Sequence, residues 1–277
     1  MFARRLAACL LTLFMLAPVA APAQERMSHC IAIADAAPGI EYLTLADWRA
    51  PVSDDHAVRI SYIDHSMFLI RTAGGVSAVT DYNGFIGSAD FVPDVVTMNR
   101  AHSTHWTARP DPRIAHVLEG WGDGVAPARH RLDLGELFVR NVATDIRGGM
   151  TGVERFGNSI FVFEAGGLCI GHLGHLHHAP DEAQYAALGR LDVVMAAVDG
   201  GLTLDLPTMI GVLDRLRASV VIPMHWFGPA TLARFLDGVS DRFAIDMRDG
   251  STVEIGLRNL PDRPTVVVLR PEFLTHE

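Results

Sequence analysis

The 277-residue sequence predicts an α/β domain, and three observations carry that prediction. The first half is rich in short apolar and alternating runs, the signature of strands. Beyond about residue 180, helix-like and strand-like segments alternate, as in layered α/β folds. No linker separates the halves, and 49% hydrophobic content supports one sizeable core.

The elements follow in order. Residues 58–63 alternate, and residues 66–71 and 76–79, split by Gly74-Gly75, read as hairpin strands. Residues 92–98, 137–142 and 159–163 are further strand-like runs. Pro180-Asp181 opens a short helix to Leu188, and residues 192–198 read as a buried strand. Residues 205–216 carry Leu206, Met209, Ile210, Leu213 and Leu216 at helical spacing. A strand at 220–224, a helix at 229–236 and short strands at 243–247, 253–256 and 265–269 complete the chain.

The N-terminus reads as an address. Arg4 and Arg5 precede an apolar run from Leu6 to Leu16 and a small-residue stretch ending at Ala23. This is the pattern of a signal peptide covering residues 1–23, cleaved after Ala23, so the protein is expected to be periplasmic or secreted. No later segment is apolar and long enough to span a bilayer, so stable membrane insertion after cleavage is not expected. Residues 24–56 read as an N-terminal extension. Cys30 and Cys169 remain after cleavage, and an oxidising compartment permits their pairing. The net charge of −9 argues against a nucleic-acid partner.

The chemistry gathers on histidines. His172, His175, His177 and His178 lie where a strand gives way to a loop. His102 and His105, in Arg100-Ala-His-Ser-Thr-His, and His225, closing Val220-Val-Ile-Pro-Met-His, also follow strand-like runs. Imidazole is the commonest protein metal ligand, and strand ends are where α/β scaffolds build sites.

The order of these segments resembles the metallo-β-lactamase fold, in its ascorbate-6-phosphate lactonase-like branch. The resemblance rests on His65-Ser-Met-Phe-Leu-Ile, Asp81-Tyr-Asn-Gly, Gly157-Asn158-Ser-Ile, His172-Leu-Gly-His-Leu-His-His178, Asp199-Gly-Gly-Leu-Thr-Leu-Asp205 and Ile222-Pro-Met-His225. It implies an αββα sandwich over residues 57–277, with a metal site along one edge. The family's two-metal motif is matched only in part. His102, His105 and His225 match ligand positions, whereas Arg100, Thr104 and His175 stand where a His, an Asp and a bridging Asp belong.

These replacements change the expected chemistry. A neutral imidazole offers one lone pair and cannot bridge two cations as a carboxylate does. His102, His105, His175 and His225 therefore point to one divalent metal, with zinc the default and iron, copper or nickel also suited to imidazole. His65, Asp81, His172 and His178 are expected around the ligands, and His177 is extra and open to solvent. Arg100 is a candidate to hold an anionic substrate group or to form a salt bridge with Asp145. Asp145 is a candidate base. The reading is an exported hydrolase that cleaves a small ester or lactone through metal-bound hydroxide. Its alternative is a non-catalytic periplasmic metal- or ligand-binding relative.

Overall fold

The structure is a computed structural model that describes residues 25–32, 47–149 and 152–276. The expected signal peptide and its cleavage point lie outside the described residues, as does much of the N-terminal extension. Among the described residues, fourteen strands run in chain order: β1 (Ala57–Asp64), β2 (Met67–Thr72), β3 (Ser77–Val79), β4 (Val95–Met98), β5 (His116–Glu119), β6 (Arg131–Asp133), β7 (Leu137–Gly148), β8 (Gly152–Ala165), β9 (Leu168–His172), β10 (Val193–Ala197), β11 (Val220–Met224), β12 (Ala244–Met247), β13 (Thr252–Gly256) and β14 (Thr265–Val268). The helices are α1 (His29–Ala32), α2 (Glu182–Leu188), α3 (Leu206–Leu216) and α4 (Pro229–Val239).

The strands form two sheets, ordered β13-β1-β2-β3-β4-β5 and β12-β14-β11-β10-β9-β8-β7-β6. Their facing surfaces bury one apolar core, in which Val58, Ile60, Phe68 and Ile70 meet Phe161, Phe163, Ile170, Met195 and Ile222. The eight-stranded sheet buries its other face under helices through Met209, Val212, Leu213 and Phe235. Asp205 starts α3 by accepting from the Thr208 amide at 3.0 Å, and α2 opens on a capping box between Asp181 and Gln184.

The two facing sheets and the helical layer are those of the expected α/β sandwich. The outer face of the six-stranded sheet differs. Among the described residues its apolar side chains Ile63, Leu69, Val79 and Val96 are covered by Trp48, Phe91, Trp106 and Trp121, which lie outside helices. β5 and β6 are short and part-exposed, so no periodicity marks them. β7 and β8 run well beyond the expected strands, and the far arm of β8 is exposed.

The start of the described chain is stapled to the eight-stranded sheet. Cys30 and Cys169 form a disulfide with their Cα atoms 5.9 Å apart. Beside it the buried Glu164 carboxylate accepts from Ser28 Oγ at 2.5 Å and from Arg140 Nε at 2.9 Å. A charge buried this deeply is tolerated because it is paired and hydrogen-bonded.

Candidate metal centre

The C-terminal ends of strands from both sheets meet at one edge. β1 delivers His65, β3 Asp81, β4 His102 and His105, β9 His175, β10 Asp199 and β11 His225. The chain leaves these strands abruptly. His65, Asp81 and His225 have φ of 47°, 44° and 58°, left-handed conformations that cost free energy for residues with a Cβ and persist where surroundings enforce them. Here the enforcement is visible. The His65 carbonyl accepts from Tyr62 Oη at 2.6 Å and from the His225 amide at 2.9 Å, which ties two of the three turns together. The loop to His175 needs a glycine, because a Cβ at Gly174 (φ 61°) would fall 2.4 Å from Asn158 Oδ1 and 2.5 Å from Asn99 Nδ2.

Five imidazoles gather there. Ring centroids lie 4.0 Å apart for His65 and His225, 4.5 Å for His102 and His105, and 4.9 Å for His175 and His225. One ring nitrogen from each of His65, His102, His105 and His225 lies within 4.8 Å of the others. The Nε2 atoms of His65, His105 and His225 are buried and have no hydrogen-bond partner. Such an orphan costs about 1–3 kcal/mol. Their convergence is the arrangement a cation relieves, so the side chains fit a divalent metal.

Carboxylates set the orientation of two of these rings. His105 Nδ1 lies 2.5 Å from Asp81 Oδ2 and 2.9 Å from Ser66 Oγ, and His225 Nδ1 lies 2.9 Å from Asp199 Oδ2. A carboxylate accepts a hydrogen bond from Nδ1–H, which keeps the proton there and leaves the Nε2 lone pair free. Both carboxylates are supported in turn. Asn99 Nδ2 donates to Asp81 at 2.9 Å, while the amides of Gly201, Leu202 and Thr203 donate to Asp199 at 2.9, 2.6 and 2.9 Å.

The same surroundings fix the charges. Burial lowers the His65 pKa to about 3, with the neighbouring histidines adding to the effect. Burial likewise takes His175 down to about 2 and His102 to about 4. Burial pushes Asp81 and Asp199 upward, but the adjoining histidines and donors outweigh it and hold both below the usual carboxylate range. Neutral rings at His65, His102 and His175, beside ionised Asp81 and Asp199, are protonation states that suit a metal.

The other expected residues are placed as follows. His175 joins the cluster, but its Nε2 lies 3.1 Å from His102 Nε2, and His65 supplies the ring nitrogen that completes the four-histidine group. His172 Nε2 donates to the Ser66 carbonyl at 2.8 Å and braces the His65 turn. His178 is exposed. Arg100 is paired with Glu154 at 3.7 Å, in place of the Asp145 partner suggested by sequence. Asp145 accepts from the Phe156 amide at 2.9 Å. Asp145 contributes no oxygen to the histidine group.

Two supporting residues, Arg147 and Phe227, had no sequence signal of their own. Asp199 was legible only as part of a motif. Arg147 caps the Asp199 loop, donating through Nη2 to the Gly201 and Thr203 carbonyls at 3.0 Å each and to that of Leu202. Phe227 is 62% exposed with its ring 5.1 Å from His225 and 5.7 Å from His65, so it walls the centre with apolar surface.

The model of the beta-lactamase superfamily domain matches residues 59–225. A solved structure assigned to the Zn-dependent hydrolases of the metallo-β-lactamase superfamily, from Thermotoga maritima, is 25% identical with a TM-score of 0.55, and the match covers 76% of this chain and 98% of that one. Igni18, a metallo hydrolase from the archaeon Ignicoccus hospitalis, is 16% identical with a TM-score of 0.52, covering 79% and 97%. The latter likeness is one of fold. No curated protein sequence matches. The fold neighbours and the histidine cluster together suggest a divalent metal.

Proposed function

The chain belongs to the beta-lactamase superfamily, and from that membership we propose that it is a metal-dependent hydrolase of small ester or lactone-like substrates. The observation that carries the proposal is the convergence of the unpaired, buried Nε2 atoms of His65, His105 and His225 beside His102. These four residues hold the metal in this reading. The group contains no carboxylate to bridge two cations, which supports a single ion, and an all-imidazole set suits zinc.

A divalent ion held there supplies Lewis acidity, polarising an ester or lactone carbonyl and lowering the pKa of a water ligand to about 7. The remaining work falls to the chain. Asp81 and Asp199 keep His105 and His225 in the tautomer that binds, and the left-handed turns at His65 and His225, tied by the His225 amide to the His65 carbonyl, fix where both side chains leave the backbone. His102 is exposed while His105 and His225 are buried, so the substrate approaches across His102 and Phe227.

The finer assignments are part of the same proposal. The His65-Ser-Met-Phe-Leu-Ile turn supports a place in the ascorbate-6-phosphate lactonase-like branch, and residues 57–277 make the catalytic domain. The Cys30–Cys169 disulfide supports export to an oxidising compartment, where such bonds persist. A panel of small esters and lactones, assayed with the zinc-loaded protein and with His105→Ala and His225→Ala, tests the function. Turnover abolished in both variants is expected. Turnover that persists unchanged in them removes the metal from the mechanism.

A further inference from the structure

Four hydrogen bonds in series cross the centre. The Arg147 amide donates to His177 Nδ1 at 2.6 Å. His177 Nε2 lies 2.7 Å from His175 Nδ1. His175 Nε2 lies 3.1 Å from His102 Nε2, and His102 Nδ1 lies 2.8 Å from Thr104 Oγ1. A backbone amide only donates, and a neutral imidazole has one donor and one acceptor nitrogen. The first bond therefore fixes the rest. His177 accepts on Nδ1 and carries its proton on Nε2. His175 accepts that proton's bond on Nδ1 and carries its own proton on Nε2. His102 accepts on Nε2 and donates from Nδ1 to Thr104.

The 3.1 Å separation of the His102 and His175 Nε2 atoms also suits two nitrogens on one ion. The far ends of the rings decide between the two. If His175 offered its Nε2 lone pair to a metal, its Nδ1–H would donate to His177 Nε2. His177 would then need its proton on Nδ1, against the N–H of Arg147. Two hydrogens cannot share that 2.6 Å contact.

We propose that His175 is a hydrogen-bond donor in this centre and not a metal ligand, that His177 and the Arg147 amide are what hold it in that role, and that the acceptor it serves is a carbonyl or anionic oxygen of the substrate. Without a metal, the donor is satisfied by His102. Once His102 commits its Nε2 lone pair to an ion, the His175 N–H loses its acceptor and faces the centre free. A donor placed at the reacting oxygen stabilises negative charge as it develops there. His177 thereby becomes a positioning residue, not a solvated extra. The proposal rests on the metal reading above only for the loaded state; the tautomers are a property of the chain itself.

The test is long-range 15N–1H NMR of histidine-labelled protein, metal-free and titrated with Zn2+. The expected spectra show His175 protonated on Nε2 in both states. A zinc-shifted, unprotonated His175 Nε2 overturns the proposal, as does an Nδ1-protonated His175 in the metal-free protein. Failure to bind Zn2+ would strike the function proposed above, while the metal-free spectrum still decides the tautomer. Two variants give an independent reading. His177→Gln keeps a donor for His175 Nδ1 and an acceptor for Arg147, so Zn2+ affinity by chelator competition is expected within about threefold of wild type. His177→Glu offers acceptors alone, draws the proton to His175 Nδ1 and frees its Nε2, so affinity is expected to rise about tenfold or more. Equal affinities in the two variants overturn the account, and the wild-type spectra stand whether or not either variant folds.

Discussion

The Asp199 carboxylate accepts from His225 Nδ1 at 2.9 Å while three consecutive backbone amides hold its other oxygen, so the orientation of a buried imidazole is set by a loop beyond the next strand. Asp81 and His105 repeat the relationship at 2.5 Å from the opposite sheet. The two pairs, one from each sheet, leave the Nε2 atoms of His105 and His225 buried and unpartnered, with a ring nitrogen of each residue within 4.8 Å of the other's.

Removing the charge from either carboxylate should weaken the metal without unfolding the chain. Asp199→Asn is expected to lower Zn2+ affinity about 10–100-fold, the usual cost of losing a partner that orients a ligand. Chelator competition measures it. An unchanged affinity would mean His225 needs no such partner.

The metal-free protein should be labile to acid. Burial holds His65 near pKa 3, His102 and His177 near 4, and His175 near 2. The unfolded chain takes up protons on these residues below about pH 6.5 while the folded chain does not, so their neutral folded state is fully tolerated above that pH. Stability therefore falls as pH drops from about 6.5 towards 4. Asp81 and Asp199, held below the usual range, act in the same direction at lower pH, where their stabilisation is lost as pH falls through the folded values. Urea midpoints at pH 7.5 and 5.0 are expected to fall with acidification, with on the order of two to four protons taken up on unfolding. Equal midpoints would contradict the buried, neutral cluster.

Much of this was legible in the sequence, and the exceptions share a cause. Strands with a buried face announce themselves by alternation, as residues 58–63 do, and the match of β1 to that expectation is close. β5 and β6 bury too little to leave a pattern. The clustering of His102, His105, His175 and His225 was readable because each follows an apolar run. His65 was expected beside the ligands, yet its ring stands among them, since a left-handed turn after β1 swings the side chain inward and sequence spacing cannot convey that. His177 was expected in solvent because its two partners, Arg147 and His175, meet it only through a β7 arm that no periodicity marks.

The disulfide should contribute stability and nothing to metal binding. Cys169 packs on the helical side of the eight-stranded sheet, with Leu188 and Leu191. A Cys30→Ser, Cys169→Ser double variant is expected to lose about 2–4 kcal/mol in urea unfolding while keeping its metal content. A loss of metal from the folded double variant would link the two.

Phe227 should set preference and not stability. Its ring is 62% exposed, so Phe227→Ala is expected to change unfolding free energy by less than about 0.5 kcal/mol. On an ester with an apolar group, KM is expected to rise about tenfold with kcat little changed, as when a contact made equally in ground and transition states is removed. An unaltered KM would place the substrate on another side of the centre.

The central claim is that a histidine cluster drawn from both sheets holds one divalent ion. Elemental mass spectrometry of the purified protein, beside His105→Ala and His225→Ala, tests it most directly. One ion per chain in the wild type, lost in both variants, is the predicted result. Two ions per chain, or a content indifferent to either substitution, would contradict it.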